Sequence, residues 1–399
     1  MRTTTLEEVL EEIIDHRGRT PKKLGADFTN AGVPVISAKL IRQGAIDFEN
    51  VRFVSHETWE KWMPLPLQEG DVILTSEAPL GKTAFVPSND PLVLGQRLFA
   101  LRGKADVIDN AYLRYWLDSE VGQAQLAGRA SGTTVLGIRQ ALLRKVEIDL
   151  PPLKAQRSVG KFLKALDDKI TTNSRIINLS GALVEALYSQ VAKKPTAQSF
   201  DEIAEVFGGS TPSTKNDAFW DGDINWATPT DITALDGPWI GDTSRKITEA
   251  GLASMSSSLH PENSILLTSR ATIGAIALAS GPIATNQGFI VVEAPDELTP
   301  WLFAQMKARK REFEAWANGA TFMELSRGNF KKLPFIGCSD DYLQAFNEAA
   351  WPLLKRAQAA QKENQVLART RDELLPLLMS GRITVGKAED AADEAASES

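Results

Sequence analysis

Cations of the kind that bind phosphate stand at matching places in two halves of this chain. Arg139, Arg144 and Lys145 cluster in the first half, and Lys307, Arg309, Lys310, Arg311, Arg327, Lys331 and Lys332 in the second. Ammonium and guanidinium groups displace the counterions of a phosphate backbone, so such clusters are what nucleic acid would require. The net charge of −7 weighs mildly against that partner. Residues 388–399, however, carry five carboxylates and no cation in an Ala- and Ser-rich stretch, which reads as a disordered tail. Residues 151–198 are basic, with eight Lys/Arg against three Asp/Glu. A single cluster is equally well a solvated face; recurrence in both halves favours the phosphate reading.

The residue patterns that would perform covalent chemistry are incomplete. Gly81-Lys82-Thr83 resembles the end of a nucleotide-binding loop, but Ser76 stands where the first glycine belongs. The matching Gly274-Ala275-Ile276 lacks the lysine, so a tight turn explains both glycines. Asp167-Asp168-Lys169 looks like part of a nuclease metal site, yet it falls on a heptad helix where charges are expected to face solvent. The chain has no Gly-x-Ser-x-Gly elbow, glycine-rich cofactor loop or Asn/Asp-Pro-Pro-aromatic tetrapeptide of an amino-methyltransferase. Three dispersed histidines and one cysteine, Cys338, supply neither a structural zinc set nor an intramolecular disulfide. No catalytic set and no resident cofactor or metal is expected.

The elements that would position the cations repeat once. Arg19-Thr20-Pro21 answers Ser210-Thr211-Pro212, and Val72–Ser76 with Gly81 answers Ile265–Ser269 with Gly274. Gln96 answers Gln287; Gly132-Thr133-Thr134-Val135 before Arg144-Lys145-Val146 answers Gly319-Ala320-Thr321-Phe322 before Lys331-Lys332-Leu333. A unit this long is a domain plus a helix rather than a solenoid repeat. The chain's 399 residues suffice for two or three cores, and 43% apolar with 24% charged residues is ordinary for soluble proteins. The N-terminus lacks a signal-peptide core, and the apolar run Ala271 to Ala284 is too short and too broken for a bilayer. A cytoplasmic protein without a membrane partner is expected.

Residues 1–150 and 199–338 read as similar α/β domains. Strands are expected at Val33–Ser37, Asp71–Ser76, Ala84–Pro87 and Leu98–Leu101, with helices at Ala111–Ala127 and Ile138–Leu143. The segments 151–198 and 339–385 read as long helices, and 386–399 as the acidic tail. From Val159 through Leu163, Leu166, Ile170, Asn173, Ile177, Ser180, Val184, Leu187 and Val191, and from Leu343 through Phe346, Ala350, Leu353, Ala357, Ala360, Asn364, Leu367, Arg371, Leu374 and Leu378, the steps alternate between three and four. That spacing predicts helices packed along a coiled-coil seam, with two separate surface helices as the alternative, and the order domain–helix–domain–helix with its pseudo-twofold repeat makes such a pair antiparallel. Asn173 and Asn364 either fix register on the seam or sit at a solvated edge. Pro352 either kinks its helix or marks a first turn.

Taken in order, these pieces resemble the specificity (S) subunit of Type I restriction–modification systems. The resemblance rests on Gly132–Val135, on Arg144-Lys145-Val146-Glu147-Ile148-Asp149-Leu150-Pro151-Pro152-Leu153-Lys154-Ala155-Gln156-Arg157, and on the helix that follows. In the second half it rests on Leu267–Gly274, Asn286-Gln287-Gly288-Phe289 and the ending Leu374-Leu375-Pro376-Leu377-Leu378-Met379-Ser380-Gly381-Arg382-Ile383. It implies two target-recognition domains, each reading half of an interrupted double-stranded DNA sequence, with a helical spacer setting the gap. It also implies two methylase (M) subunits and restriction (R) subunits as partners, with S-adenosylmethionine and ATP bound by those partners and no catalysis by this chain.

On that basis Arg139, Lys145, Arg327, Lys331 and Lys332 are expected at phosphates, and the small hydroxyls of Thr133, Thr134 and Thr321 in loops pressed against the DNA backbone. Gln96 and Gln287 suit adenine and Arg97 and Arg270 suit guanine, although a glutamine shared by both halves equally suits a turn-fixing hydrogen bond. Glu77 stands where Arg270 stands in the other half. Phe162 and Leu183, off the seam, are candidates for methylase docking. The competing readings are a coiled-coil adaptor presenting two protein-binding domains and, less compatible with the motifs, a self-sufficient methyltransferase or nuclease.

Overall fold

The apolar runs become the central strands of two sheets built to one plan. The computed structural model describes residues 2–42, 44–132, 135–191, 194–317 and 323–389. It divides into one unit formed by residues up to Lys169 with the chain from Val366 onward, and a second formed by Ile170–Gln365. In the first unit the sheet order is Leu10–Ile14, Leu98–Gly103, Val72–Thr75, Thr83–Phe85. In the second it is Glu205–Gly208, Phe289–Glu293, Ile265–Thr268, Ile276–Ala279, with Trp239–Ile240 added at the edge.

Both central strands are apolar at every position but the last because both of their faces are covered. Val72 and Leu74 pack into one core and Ile73 into another. Ile265 and Leu267 against Leu266 divide in the same way. A smaller three-stranded sheet accompanies each. It is Arg52–Val54, Val33–Ile36, Val93–Leu94 in the first unit and Lys246–Ile247, Trp220–Ala227, Ala284–Thr285 in the second.

The helix expected over 111–127 is two helices, Asn110–Asp118 and Glu120–Gly128. Ser119 makes the break: its hydroxyl donates to Trp116 O (2.6 Å) and accepts from Gly122 N (3.2 Å), ending one helix and capping the next. The strands follow the sequence closely, and the short helix near 138 is Gln140–Leu143.

The two long helices run Leu153–Gln190 and Asp340–Met379, about 57 and 60 Å at 1.5 Å per residue. Both are shared between the units, whose divisions fall inside the helices. In the second unit Asn173 Nδ2 donates to Glu363 Oε2 (2.8 Å), Ile177 packs with Ala357 and Ala360, and Tyr188 meets Phe346. Later residues of one helix therefore meet earlier ones of the other, which is antiparallel pairing. Asn173 is fully buried on that seam, whereas Asn364 is half-buried and donates to Ser174 Oγ (3.2 Å). Pro352 lies exposed in the helix interior, not in its first turn.

Three expectations need correction. Asp167 does not face solvent: its carboxylate accepts from Arg114 Nη1 (2.6 Å), Tyr115 OH (2.7 Å) and Arg371 Nη1 (2.7 Å). Phe162 is half-buried against the first unit's core and belongs to it, while Leu183 is exposed beside Leu179. Residues 385–389 are helical and Ala388 is fully buried, so residues 386–389 do not belong to a disordered tail; residues 390–399 lie outside the described ones.

The run from Pro151 to Arg157 has a physical role. Gln156, almost fully buried, accepts from Asp109 N (3.0 Å) and donates to Val107 O (3.2 Å) and Pro151 O (2.9 Å), tying the start of the long helix to the loop before Asn110. One turn on, a Cβ at Gly160 would lie 2.7 Å from Asp109 Oδ1, 2.8 Å from Ala111 Cβ and 2.9 Å from Tyr112 N. Gly160→Val is expected to lower the unfolding free energy by roughly 1–3 kcal/mol by forcing these segments apart. Urea denaturation of the full chain reads this directly, and a value within 0.5 kcal/mol of wild type would show that the contact yields freely.

Candidate nucleic-acid interface

In each unit one serine backbone at the end of the central strand holds two loops. Ser76 N donates to Arg97 O (2.9 Å) and Ser76 O accepts from Ile138 N (2.9 Å). Ser269 N donates to Gly288 O (2.8 Å) and Ser269 O accepts from Leu325 N (3.0 Å). The turn carrying Gln96 or Gln287 is thereby pinned beside the segment that leads into the short helix Gln140–Leu143 or Arg327–Lys331. The glycine turns are also equivalent. Gly81 N bonds Thr75 O and Gly274 N bonds Thr268 O, each at 3.0 Å, with φ near +90° in both, so they are strand turns.

On this shared frame the exposed chemistry differs. Gln96 and Gln287 are both exposed at the tips of their turns, and Gln287 Oε1 accepts the Thr211 hydroxyl (2.5 Å). That bond links the glutamine turn to the Ser210-Thr211-Pro212 landmark and fixes which end of the amide points outward. Arg97 adopts a left-handed conformation (φ 65°) and pairs with Glu77 (3.1 Å). Arg270 pairs with Glu324 (2.9 Å). Both arginines are therefore partly neutralised by carboxylates of their own unit, with the pairing reversed between halves: in one the acid follows the central strand, in the other the base does.

Arg139 is exposed at the N-cap of its short helix and Lys145 is exposed just beyond that helix. Arg327 and Lys332 are exposed at corresponding places in the second unit. Lys331 is half-buried and lines a cleft with Asp201, Glu202, Glu205 and Glu293, a setting less suited to an anion. Thr133, Thr134 and Thr321 lie outside the described residues.

Two positioning residues stand outside the candidates that the sequence offers. Arg17 chelates Asp15, lies 4.2 Å over the Phe99 ring and donates to Ile138 O (3.2 Å), bracing the segment before Arg139. Thr211 is the other. Burial works to raise the Asp231 carboxyl, but hydrogen bonds from Thr228 and from the Ser244 backbone outweigh it and hold the group below its ordinary range. Ionised Asp231 thus clamps Ser244 N at 2.9 Å and fixes the start of the strand at Lys246.

Among the described residues no group of acidic, histidine and cysteine side chains is arranged to hold a metal, and no helix is long and apolar enough to cross a membrane. What these edges offer is exposed amide and cationic groups on two matched frames.

The family model described as the Type I restriction modification DNA specificity domain matches residues 1–179 and 198–336. The MjaIX specificity subunit of Methanocaldococcus jannaschii is 33% identical over 189 residues, 46% of this chain and 44% of that protein, so the matched stretch spans under half of the relative. The putative MjaX specificity subunit of the same organism is 22% identical over 95% of this chain and 93% of its own. The crystal structure of a Type I system S subunit from M. genitalium shares the fold, with TM-score 0.65 and 15% identity over 94% of this chain and 95% of that one.

Proposed function

Because the chain belongs to the Type I restriction–modification DNA specificity family, we propose that it is the non-catalytic subunit that recognises a two-part, interrupted double-stranded DNA target. It directs two methylase subunits and the restriction subunits to that target. The observation that carries this reading is the pair of matched edges. The same serine-held frame presents Gln96, Arg139 and Lys145 in one unit and Gln287, Arg327 and Lys332 in the other, with different neighbours. Equal frames whose neighbouring side chains differ, Glu77 following the central strand in one unit and Arg270 in the other, suit two different half-sites. S-adenosylmethionine and ATP belong on the partner subunits, and the complex works in the cytoplasm. Exposed Leu183 and Leu179 on the first long helix are candidates for methylase docking.

The test is adenine-methylation sequencing of DNA from cells carrying the methylase with and without this chain. Methyladenine is expected at one interrupted motif, present only with the chain. Gln287→Ala is expected to relax one half of that motif and leave the other intact. Methylation that is independent of the chain would instead favour the adaptor reading.

A further inference from the structure

The smaller sheets place an arginine at the same point in each unit. Val35 lies opposite Arg52 across one antiparallel pair, and Ile36 opposite Leu94 across the parallel pair on its other side, with Gly95-Gln96 following. In the second unit Ala227 lies opposite Thr285, with Asn286-Gln287 following. On the other side Asn225 lies opposite Lys246, and Trp226 N donates to Arg245 O (3.3 Å). Arg52 and Arg245 are therefore equivalent. Each lies at the end of its sheet that carries the glutamine turn, two strands from it or about 10 Å at the usual strand spacing.

Each guanidinium rests on an aromatic ring from the segment that follows its unit's Pro21 or Pro212 landmark. Arg52 lies 3.9 Å over Phe28, which is itself 39% exposed. Arg245 lies 3.5 Å over Trp220 and 5.8 Å from Trp226, two rings set edge to face. The indoles are anchored to the Thr211 loop, Trp226 Nε1 to Ser210 O (3.1 Å) and Trp220 Nε1 to Ser213 O (3.2 Å). That is the loop whose Thr211 holds Gln287. Both arginines are exposed, and among the described residues neither lies within ion-pair distance of a carboxylate, unlike Arg97 and Arg270. Stacking holds the plane of the fork and leaves its edge N–H groups free.

We propose that Arg52 and Arg245 are DNA-contacting residues, each turning its guanidinium edge to acceptor oxygens or nitrogens of the half-site read by its own unit. The proposal rests on the DNA-reading function above and extends each reading edge from the glutamine turn across the small sheet. Stacking on the ring pre-orders a long side chain, so less rotamer freedom is lost on contact. The acceptors belong either to phosphates or to guanine, and the two sources give different results.

The experiment uses the full chain assembled with its methylase, and duplex DNA carrying the motif that wild-type methylation reveals. Arg52→Gln and Arg245→Gln are compared with wild type in binding against salt and in methylation motif. A phosphate contact is expected to lower the slope of log affinity against log salt by about 1 and to weaken binding roughly tenfold at 0.1 M salt for every sequence. A guanine contact is expected to relax one position, in the first unit's half for Arg52 and the other half for Arg245. Arg→Lys keeps the charge, so it restores the slope in the first case and leaves the motif relaxed in the second. Unchanged slope and motif in both Gln variants, with unchanged thermal midpoints, overturns the proposal. Should a Gln variant fail to fold, the corresponding Arg→Met variant, which keeps an unbranched apolar stem over the ring and removes the charge, carries the test, and wild-type slope and motif there overturn the proposal equally. If the wild-type complex itself yields no two-part motif, it is the function that fails, independently of these residues.

Discussion

Asp167→Ala is expected to lower the unfolding free energy by about 3 kcal/mol or more. The residue accepts from Arg114 and Tyr115 on one oxygen and from Arg371 on the other. Arg114 is only 3% exposed, and its remaining carboxylate partner, Asp118, lies at 3.3 Å. Without Asp167, two guanidinium groups lose their shared counterion and a buried phenol loses its acceptor, which costs more than the pair contributes over an apolar replacement. Asp168→Ala is the control: Asp168 bonds Lys164 at the surface, where such pairs contribute at most about 1 kcal/mol. Equal effects of the two substitutions in denaturant unfolding would refute the assignment.

The pH dependence has a definite sign. Burial works to raise the Asp167 carboxyl, but Arg114, Arg371 and Tyr115 outweigh it and hold the group below its ordinary value. Its contribution is therefore fully present above the unfolded value, near pH 3.9, and is lost as pH falls through the folded one. The gap between wild type and Asp167→Ala is expected to be constant from pH 5 to 8 and to narrow in acid below about pH 4. Asp118, raised chiefly by burial, acts oppositely, since its ionised form opposes folding.

The other large expected effect is on DNA affinity. Replacing Arg139 and Lys145 together with glutamine is expected to lower the salt slope by about 2 and to weaken binding by about a hundredfold at 0.1 M salt, with the methylation motif unchanged. Both side chains are exposed, so the fold should tolerate the loss. The slope of the assembled complex is the decisive readout, because two cations that never meet phosphate leave it where it was.

The repeat made the strand plan legible, since a glycine turn, an apolar run and a Gln turn in fixed order admit few sheets. Interactions between distant residues were not legible. Asp167 looked like a solvated helix charge because its partners, Arg114 and Arg371, come from other segments of the chain. Arg52 and Arg245 escaped notice because no motif marks them, although each stands twenty residues before the first residue of its central strand, Val72 or Ile265, and only the fold shows the rings, Phe28 and Trp220, beneath them. The glutamines were found, but Thr211, which orients one of them, was seen only as part of a landmark. Periodicity located the seam well, though at its end the buried residue is Tyr188 rather than Leu187.

The first unit's core contains Leu374, Leu378 and Ala388 beside Leu6 and Leu163. Gly381 (φ 69°) ends the last helix, with Arg382 N bonding Leu377 O (3.0 Å), and turns Ile383 and Val385 back onto that core. During synthesis, then, the half begun first is finished last. At ribosomal rates of about 5–20 residues per second, Lys169 precedes Ala388 by roughly 10–45 s. Through that interval the early half must wait with an open apolar surface. A message truncated near residue 365 would leave it permanently unfinished, with the later half already complete.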